Sequence, residues 1–515
     1  MQCSEISGIT TSNNTDPQTN PSGQYDSQIV GDNIEQIELT GDSLALTLDL
    51  AEGEEAVLLM VSSDENGEAH GFQVVNSESV NDTGAGFAAA LSAEPEDATE
   101  EAHEQLRNAE AELMTWTRLE NNAAGFAAST TGGSDEKTFK VIQSFSDTSQ
   151  YNEVNTINVY EGNNVNLYLD ERDFDSLSNE QIDQMIAKIE DFDINIAPNE
   201  HVMFGMPSDV DNNGILNVVA TREVNEYYNT LGSFVTGYFY AGDTFSTDIN
   251  PGSNEGEVVF TIVPDADGIH GAFVSDTIYF ENIFEGVTAH EYQHCINFNE
   301  RYLQNGASIE LPALNEFLSH TAEDLLNHME STSKENFSRA SNGLDNLQNI
   351  DIFGGTSLAQ RGMGYLFIRY LYEQVEKGHF ENVTTGQAFI RGLITSPFRG
   401  VDNLKYVLFG DVTADAEFAE WTSRFAITLY LSDTDLSDGD YYQMEGLSLR
   451  AISNDNRGTY FNGPPLIDLG SNTLTGVLDG VSMAFVKIEA SDLSANGTIY
   501  LNVQDTTNLK AYLIQ

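Results

Sequence analysis

One short segment holds most of the residues that could carry out chemistry. Its sequence is Phe284-Glu-Gly-Val-Thr-Ala-His290-Glu291-Tyr-Gln-His294-Cys-Ile-Asn-Phe298. Residues four apart on a helix share one face, so the rings of His290 and His294 could reach the same metal ion. Glu291 would flank that ion and could take a proton from a metal-bound water. The segment therefore predicts a Zn²⁺ site with Glu291 as the general base.

A third metal ligand has to come from elsewhere in the chain, because catalytic zinc usually takes three protein ligands. The leading candidate is Glu316, in a second predicted helix soon after the first. His320 and Glu323 are alternatives that the spacing does not exclude. Glu323 lies two turns from Glu316 and could instead accept a hydrogen bond from a ligand imidazole, or be a solvated carboxylate. Asn315, next to Glu316, is assigned with Glu323 to the surroundings of the metal.

These two segments, with His-Glu-Tyr-Gln-His followed by Leu-Asn-Glu-Phe-Leu-Ser, resemble the glutamate-ligand zincins, the clan of thermolysin and the zinc aminopeptidases. Within that clan they look most like the hyicolysin family, in which a Leu-Asn-Glu-x-x-Ser element supplies the third zinc ligand through its Glu, here Glu316. The resemblance covers about residues 137–435. It implies an α+β, thermolysin-like zincin domain with a mixed β-sheet subdomain and a helical subdomain. A Gly-x-Met-Glu-Asn element, typical of zinc aminopeptidases, is absent from the sequence, which favours an endopeptidase acting on proteins or peptides.

The resemblance is weaker at the residue that would stabilise the transition state. The sequence has Arg361-Gly362 where relatives typically carry a Tyr-Gly pair. Related enzymes draw a hydrogen-bond donor from a Tyr or His, and Tyr365 is the candidate predicted here. A core aromatic in the same helix is the alternative, because several aromatic residues crowd that segment.

A second oxygen-rich segment precedes a predicted strand. Asp209, Asp211 and Asn213, followed by Gly214, imitate the first half of a calcium loop, in which oxygen ligands alternate around a tight turn. The Glu that closes such a loop is not at the required position. A plain Asp/Asn/Gly turn is therefore favoured over a Ca²⁺ site.

Patterning along the chain predicts four regions. Residues 1–33 form a disordered polar tether, and residues 34–136 form an N-terminal β-domain with a following amphipathic helix and linker. Residues 137–435 form the catalytic domain, in which Ser178 and Gln181 carry a capping-box signal. Residues 436–515 form a C-terminal β-domain. Two small β-rich domains should thus flank the catalytic one.

The amino-acid composition limits the kinds of partner that this protein could bind. The chain has 82 acidic against 21 basic residues, a formal net charge of -61, which excludes nucleic acid because phosphate binding needs clustered Lys and Arg. The two cysteines, Cys3 and Cys295, provide no disulfide framework. Cys3 before a long polar stretch resembles the start of a mature bacterial lipoprotein, which predicts attachment to a membrane through a lipid and an extracellular or cell-surface location. An incidental Cys in a polar tail is the alternative.

A function of another class also fits the predicted domains. The chain could be a catalytically silent surface binding protein or adhesin built on a metallopeptidase scaffold. Intact His290, Glu291, His294 and Glu316 favour the enzyme, because decayed sites commonly lose at least one of these groups.

Overall fold

The computed structural model describes residues 33–39, 43–76, 105–110, 136–327, 334–345, 347, 350–436, 440–450, 462–469 and 473–515. Cys3, the predicted tether apart from its last residue, and most of the predicted amphipathic helix and linker lie outside these ranges. Within them the chain folds into three β-sheets and a set of helices, a mixed architecture compatible with the α+β class. The described part of the chain contains no helix that is both long enough and apolar enough to cross a membrane.

Strands of two kinds occur: Ser43–Thr47 alternates buried and less buried residues, whereas Leu216–Ala220 and Val258–Thr261 are buried along their whole length. The strands are β1 (Ile34–Ile37), β2 (Ser43–Thr47), β3 (Glu55–Ser63), β4 (Ala69–Val75), β5 (Glu136–Ile142), β6 (Tyr151–Glu161), β7 (Val165–Asp170), β8 (Leu216–Ala220), β9 (Gly237–Phe239), β10 (Val258–Thr261), β11 (Ile467–Asp468), β12 (Thr473–Asp479), β13 (Val481–Glu489), β14 (Thr498–Val503) and β15 (Leu509–Ile514).

Strands from the two ends of the chain pair with one another. One sheet has the order β1-β15-β3-β13-β11 and another the order β12-β4-β14-β2. Buried side chains of both sheets, such as Leu46, Leu58 and Val486, share one apolar cluster, so the sheets pack face to face. The sequence predicts two separate terminal β-domains, but in the structure the two regions contribute to the same sandwich. The period of two identifies the buried face of a strand and does not identify its partner.

A six-stranded sheet, with the order β5-β6-β7-β8-β10-β9, supports the predicted catalytic region. Strands β7, β8 and β10 run parallel, and β9 pairs antiparallel with β10 at one edge. The central strand β8 is buried along its whole length, as expected for a parallel strand covered on both faces. The edge strand β9 is the one that meets the candidate site.

Three helices carry the candidate site and its support. The first site helix is Phe284–Asn297, the second site helix is Pro312–Glu323, and the third helix is Leu358–Glu376. The first site helix packs against β9, β10 and the second site helix. The second site helix packs against the third helix. The remaining α-helices are Glu171–Phe174, Asn179–Asp191, Ala197–Met203, Arg222–Asn225, Tyr227–Thr230, Asp276–Ile278, Lys334–Asp345, Gly386–Thr395, Gly400–Phe409 and Asp415–Leu431.

Local sequence signals account for several helix ends. The predicted capping box of Ser178 and Gln181 is confirmed at the start of Asn179–Asp191. A second capping box, formed by Ser357 and Gln360, begins the third helix. The first site helix continues into a π-helical segment, Phe298–Gln304, with no break between them. Capping boxes thus define where Asn179–Asp191 and the third helix begin.

Candidate metal centre

The two site helices bring three predicted ligands together in a buried place. His290 Nε2 lies 3.2 Å from Glu316 Oε2, and His294 Nε2 lies 3.4 Å from Glu316 Oε1. Ligands at about 2.0 to 2.1 Å from a tetrahedral zinc ion are separated by roughly 3.3 Å, so each imidazole nitrogen lies at such a distance from one of the two Glu316 oxygens. Both Glu316 oxygens are buried and neither has a hydrogen bond of good geometry. The donor set and the unsatisfied carboxylate fit a divalent zinc ion.

Glu291 lies beside these donors on the first site helix. Its Oε2 accepts a hydrogen bond of 2.8 Å from the backbone N–H of Phe239, on the edge strand β9. The carboxyl is buried, and burial raises its pKa to about 7 despite the positive charges nearby. A carboxyl with a pKa near neutrality can both accept and return a proton, which suits a general base.

Glu323 holds the far side of the His290 ring. Its Oε1 lies 3.1 Å from His290 Nδ1 and 2.8 Å from His320 Nδ1, and Arg339 donates to its Oε2 at 2.8 Å. A proton on His290 Nδ1 would leave Nε2 as the nitrogen that faces Glu316. His290, His320 and Glu323 could also be grouped as a ligand set. Their short contacts and the Arg339 pair describe a hydrogen-bonded network that orients His290.

Other side chains contact the ring of His294 and link the two site helices by hydrogen bonds. Ser319 Oγ donates to Gln293 Oε1 at 2.5 Å and lies 3.2 Å from both ring nitrogens of His294. Asn297 donates to the side-chain oxygen of Asn315 at 2.6 Å. Asn315 thus links the two site helices, and its place in the surroundings of a metal stays a prediction.

The charges in the site favour opposite protonation states for the two rings. Burial opposes a charge on His290, but hydrogen bonds to Glu316 and Glu323 outweigh it and raise its pKa to about 9. Burial, aided by the positive charge of Arg107, lowers the pKa of His294 to about 3. Burial alone would raise the pKa of Glu316, but Arg361 and the two rings outweigh it and hold that pKa well below its usual range. Glu316 is therefore an anion ready to bind a cation.

Two arginines in this site escape prediction from the sequence. Arg107, from the helical segment 105–110, places Nη2 3.7 Å from Glu291 Oε2 and Nε 3.9 Å from Glu316 Oε1. Arg361 places Nη1 3.1 Å from Glu316 Oε2. Both are buried. Arg107 lies far from the site in sequence, and an Arg in an amphipathic helix is normally solvated, so no local signal reveals it.

Tyr365 has a different neighbour from the one its predicted role requires. Its hydroxyl donates to Asp324 Oδ2 at 2.6 Å, and the residue is fully buried in the third helix. A proton used in this way is not free to reach a transition-state oxygen. Its role as a transition-state donor stays a prediction, and this contact favours the alternative of a core aromatic.

The remaining cysteine of the described chain is a packing residue. Cys295 is buried beside His294, and its sulfur lies 3.9 Å from Ser208 Oγ. Burial raises the pKa of this thiol well above its ordinary value, so it stays protonated.

A cavity of about 240 Å³ opens beside the second ligand. His294 and Asn315 form part of its wall, and Phe239, Leu311 and Arg107 form other parts. A larger cavity, of about 770 Å³, is lined by Glu55, Tyr430 and Arg450 among others and by none of the predicted ligands. Of these two cavities, only the smaller is lined by a predicted zinc ligand, His294.

Comparison with known proteins points to the same class of enzyme. No protein-family model matches the chain. The chain is 23% identical over 274 residues to the neutral metalloprotease ShpI of Staphylococcus hyicus, a match that covers 52% of this chain and 57% of that protein. The aligned region therefore spans little more than half of the relative's length. This distant similarity supports a metallopeptidase relationship, which agrees with the ligand geometry.

Proposed function

We propose that this protein is a zinc-dependent endopeptidase whose catalytic unit, residues 137–435, is a thermolysin-like zincin of the hyicolysin type. His290, His294 and Glu316 would hold the zinc ion. The observation that carries the proposal is the meeting of these three donors at zinc-like spacing beside Glu291. The similarity to a neutral metalloprotease supports it independently.

A zinc ion bound there would polarise a peptide carbonyl and acidify the attacking water. The protein supplies the remaining steps. Glu291 takes the proton of that water on its carboxylate and returns it to the leaving amine. Phe239 holds the Glu291 carboxylate through its N–H, and Glu323 keeps His290 in the orientation that presents Nε2. The cavity beside His294 would receive part of the peptide substrate.

The substrates would be proteins or peptides, and the site of action would be outside the cell or at its surface. An acidic protein with a net charge of -61 stays soluble in salty media, which suits that location. Lipid attachment through Cys3 belongs to the same proposal and lies outside the described residues.

The Glu291→Gln variant tests the enzyme against the silent binding protein. It should bind zinc as the unmodified protein does, yet lose about 10² to 10⁴ of its activity, because only the proton acceptor is removed. Casein hydrolysis, with and without 1,10-phenanthroline, and zinc content would be measured together. Glu180→Gln, an exposed helix residue, is the control. Zinc binding without chelator-sensitive hydrolysis in the unmodified protein would favour the binding protein instead.

A further inference from the structure

The acidic turn before β8 gains a third carboxylate from a different part of the chain. Asp209, Asp211 and Glu257 each place a carboxylate oxygen within 4.8 Å of the others. Glu257 immediately precedes β10, and β10 pairs in parallel with β8, which follows the turn. The pairing of these two strands therefore brings Glu257 to the turn. It supplies a third carboxylate close to the turn, whose own sequence lacks the closing Glu.

Glu257 has a buried oxygen with nothing to bind. The residue is 1% exposed, and its Oε1 accepts the N–H of Val210 at 3.0 Å. Its Oε2 is buried and has no hydrogen-bond partner. Ser208 also hydrogen-bonds to this carboxylate, but a buried oxygen that keeps no hydrogen bond is costly unless a cation or a proton satisfies it. This orphan oxygen is a separate observation from the presence of three acids.

The nearest basic side chain does not fill that place. Lys137 faces Asp211 and Glu257, but its ammonium group lies over the Phe139 ring, 4.6 Å from the ring centre. Asp209 already accepts the N–H of Gly214 at 2.8 Å, which closes the turn and holds its carboxylate in position. Three hard oxygen donors on a turn of this kind are the ligands that Ca²⁺ prefers, whereas Mg²⁺ usually keeps more of its waters.

We propose that Asp209, Asp211 and Glu257 form a Ca²⁺ site that fastens the turn before β8 to the start of β10. Ser208, next to Asp209, contacts Cys295 on the first site helix. A cation here would therefore brace the sheet beside the helix that carries His290 and His294. The role is structural and does not depend on the proposed peptidase activity.

Calcium titration of the full chain, freed of metal on a chelating resin, tests this site. Isothermal calorimetry and thermal unfolding should show one Ca²⁺ bound and a higher midpoint, with Mg²⁺ at least about tenfold weaker. Asp209→Asn and Glu257→Gln should each weaken Ca²⁺ binding at least about tenfold, since each removes a charged ligand. Asp147→Asn, at an exposed position outside the turn, should bind as the unmodified protein does.

Two results would overturn the Ca²⁺ site. One is an unchanged calcium response in both ligand variants. The other is an equal response to Mg²⁺ and Ca²⁺, which would indicate general screening of the acidic chain. If Glu257→Gln fails to fold, Asp209→Asn still decides, because Asp209 is an exposed residue whose neutral variant keeps the turn's shape.

A second inference rests on Arg107 and on the proposed function. The segment 105–110 docks on the edge of β9: Arg107 Nη1 donates to the carbonyl of Phe239 at 3.4 Å, and Glu110 Oε1 accepts the N–H of Ala241 at 2.7 Å. Leu106 of the same segment is buried in the main core. The segment is thus anchored by backbone and apolar contacts, and it closes one side of the cavity beside His294.

Arg107 carries a permanent positive charge, which pairs most closely with Glu110 at 2.9 Å and also lies beside the proposed zinc ligands. Its guanidinium pairs with Glu291 and Glu316, the proposed base and the proposed third ligand. Two like charges that share the same carboxylates in a buried site repel each other. We infer that segment 105–110 holds the centre in a latent form, in which Arg107 opposes zinc and covers the approach to Glu291.

The inhibitory role inferred for segment 105–110 is called the latch below. The Arg107→Ala variant of the full chain tests whether Arg107 opposes zinc binding in this way or supports the site. Its zinc affinity, measured by competition with a chromogenic chelator, should rise about tenfold, and its casein hydrolysis should rise with it. Arg107→Lys should stay close to the unmodified protein because it keeps the charge. Arg172→Ala, at a half-exposed arginine elsewhere, is the control.

The outcomes distinguish the latch from the proposed function. Unchanged or weaker zinc affinity in Arg107→Ala would overturn the latch, whatever the activity. Tighter zinc binding with no hydrolysis in either protein would leave the latch standing as a control of metal binding and would overturn the peptidase. Tighter binding together with increased hydrolysis is the expected result.

Discussion

At the scale of single residues, the centre depends on groups that hold the ligands as much as on the ligands. Glu323 accepts hydrogen bonds from His290 and His320 and forms an ion pair with Arg339, so groups within the protein compensate its charge. Partners of this kind fix a ligand ring and raise its basicity. Glu323 thus contacts His290 on the side of the ring that faces away from Glu316.

Replacing Glu323 with Gln should weaken zinc binding without removing it. The expected loss is about 10 to 100-fold in affinity, because the His290 ring keeps its place on the helix but loses its charged partner. Chelator competition measures the change, and Glu180→Gln serves as a matched control on an exposed helix face. An affinity equal to that of the unmodified protein would show that Glu323 is not needed to orient the ring.

The protonation of His290 predicts a pH dependence of metal binding. Its pKa is raised to about 9, so below that pH the metal-free site holds a proton that zinc must displace. Zinc affinity should therefore rise with pH, by about tenfold for each pH unit, and level off above about pH 9. Competition titrations from pH 6 to roughly 9.5 would measure it. A flat profile would place the proton elsewhere.

At the scale of elements, the helix that supports the second site helix starts at a defined cap. Ser357 accepts the N–H of Gln360, and the side chain of Gln360 returns to the Ser357 N–H. Because Arg361 follows directly and reaches Glu316, the position of this helix end affects the centre.

Removing this cap should cost stability in a measurable way. Ser357→Ala should lower the free energy of unfolding by about 0.5 to 2 kcal/mol, whereas Ser357→Asp should retain most of it, because Asp is also a good N-cap. Urea unfolding followed by circular dichroism gives both values. Equal losses in the two variants would show that the site needs a hydroxyl for another reason.

Local patterns in the sequence were sufficient for much of the centre and for many elements. Helical spacing selects His290, Glu291 and His294 as candidates, the family resemblance selects Glu316, and Ser178 could be chosen because a capping box needs only two residues. The roles of Arg107, Arg361 and Glu257 could not be predicted, because the residues that they contact lie far away in the sequence. The pairing of β3 with β13 and β15 was missed for the same reason.

At the scale of the whole molecule, the many acidic residues repel one another, and the fold has to be stable despite that repulsion. The formal net charge is -61 and most of the acidic groups have no basic residue to pair with, since 82 face 21. Repulsion between exposed charges is screened over about 8 Å at physiological ionic strength. Buried pairs such as Arg301 with Glu310 are affected much less.

Added salt should therefore stabilise this protein. The midpoint of thermal unfolding should rise by several degrees, on the order of 5 °C, when NaCl increases from about 0.02 to 0.5 M, because screening relieves repulsion in the folded chain. Differential scanning calorimetry in metal-free buffer measures it, with choline chloride as a second salt. A midpoint that falls with salt would mean that surface ion pairs outweigh the repulsion.

The sandwich built from both ends of the chain also sets the order in which the molecule can be completed during synthesis. β3 leaves the ribosome early, yet its neighbours β13 and β15 are made more than four hundred residues later. The helices and the six-stranded sheet between them can assemble meanwhile, because their partners lie within that intervening stretch. Until translation reaches β13, β3 has neither of these neighbours, so a nascent chain of this protein needs its early strands shielded by a chaperone or kept unfolded.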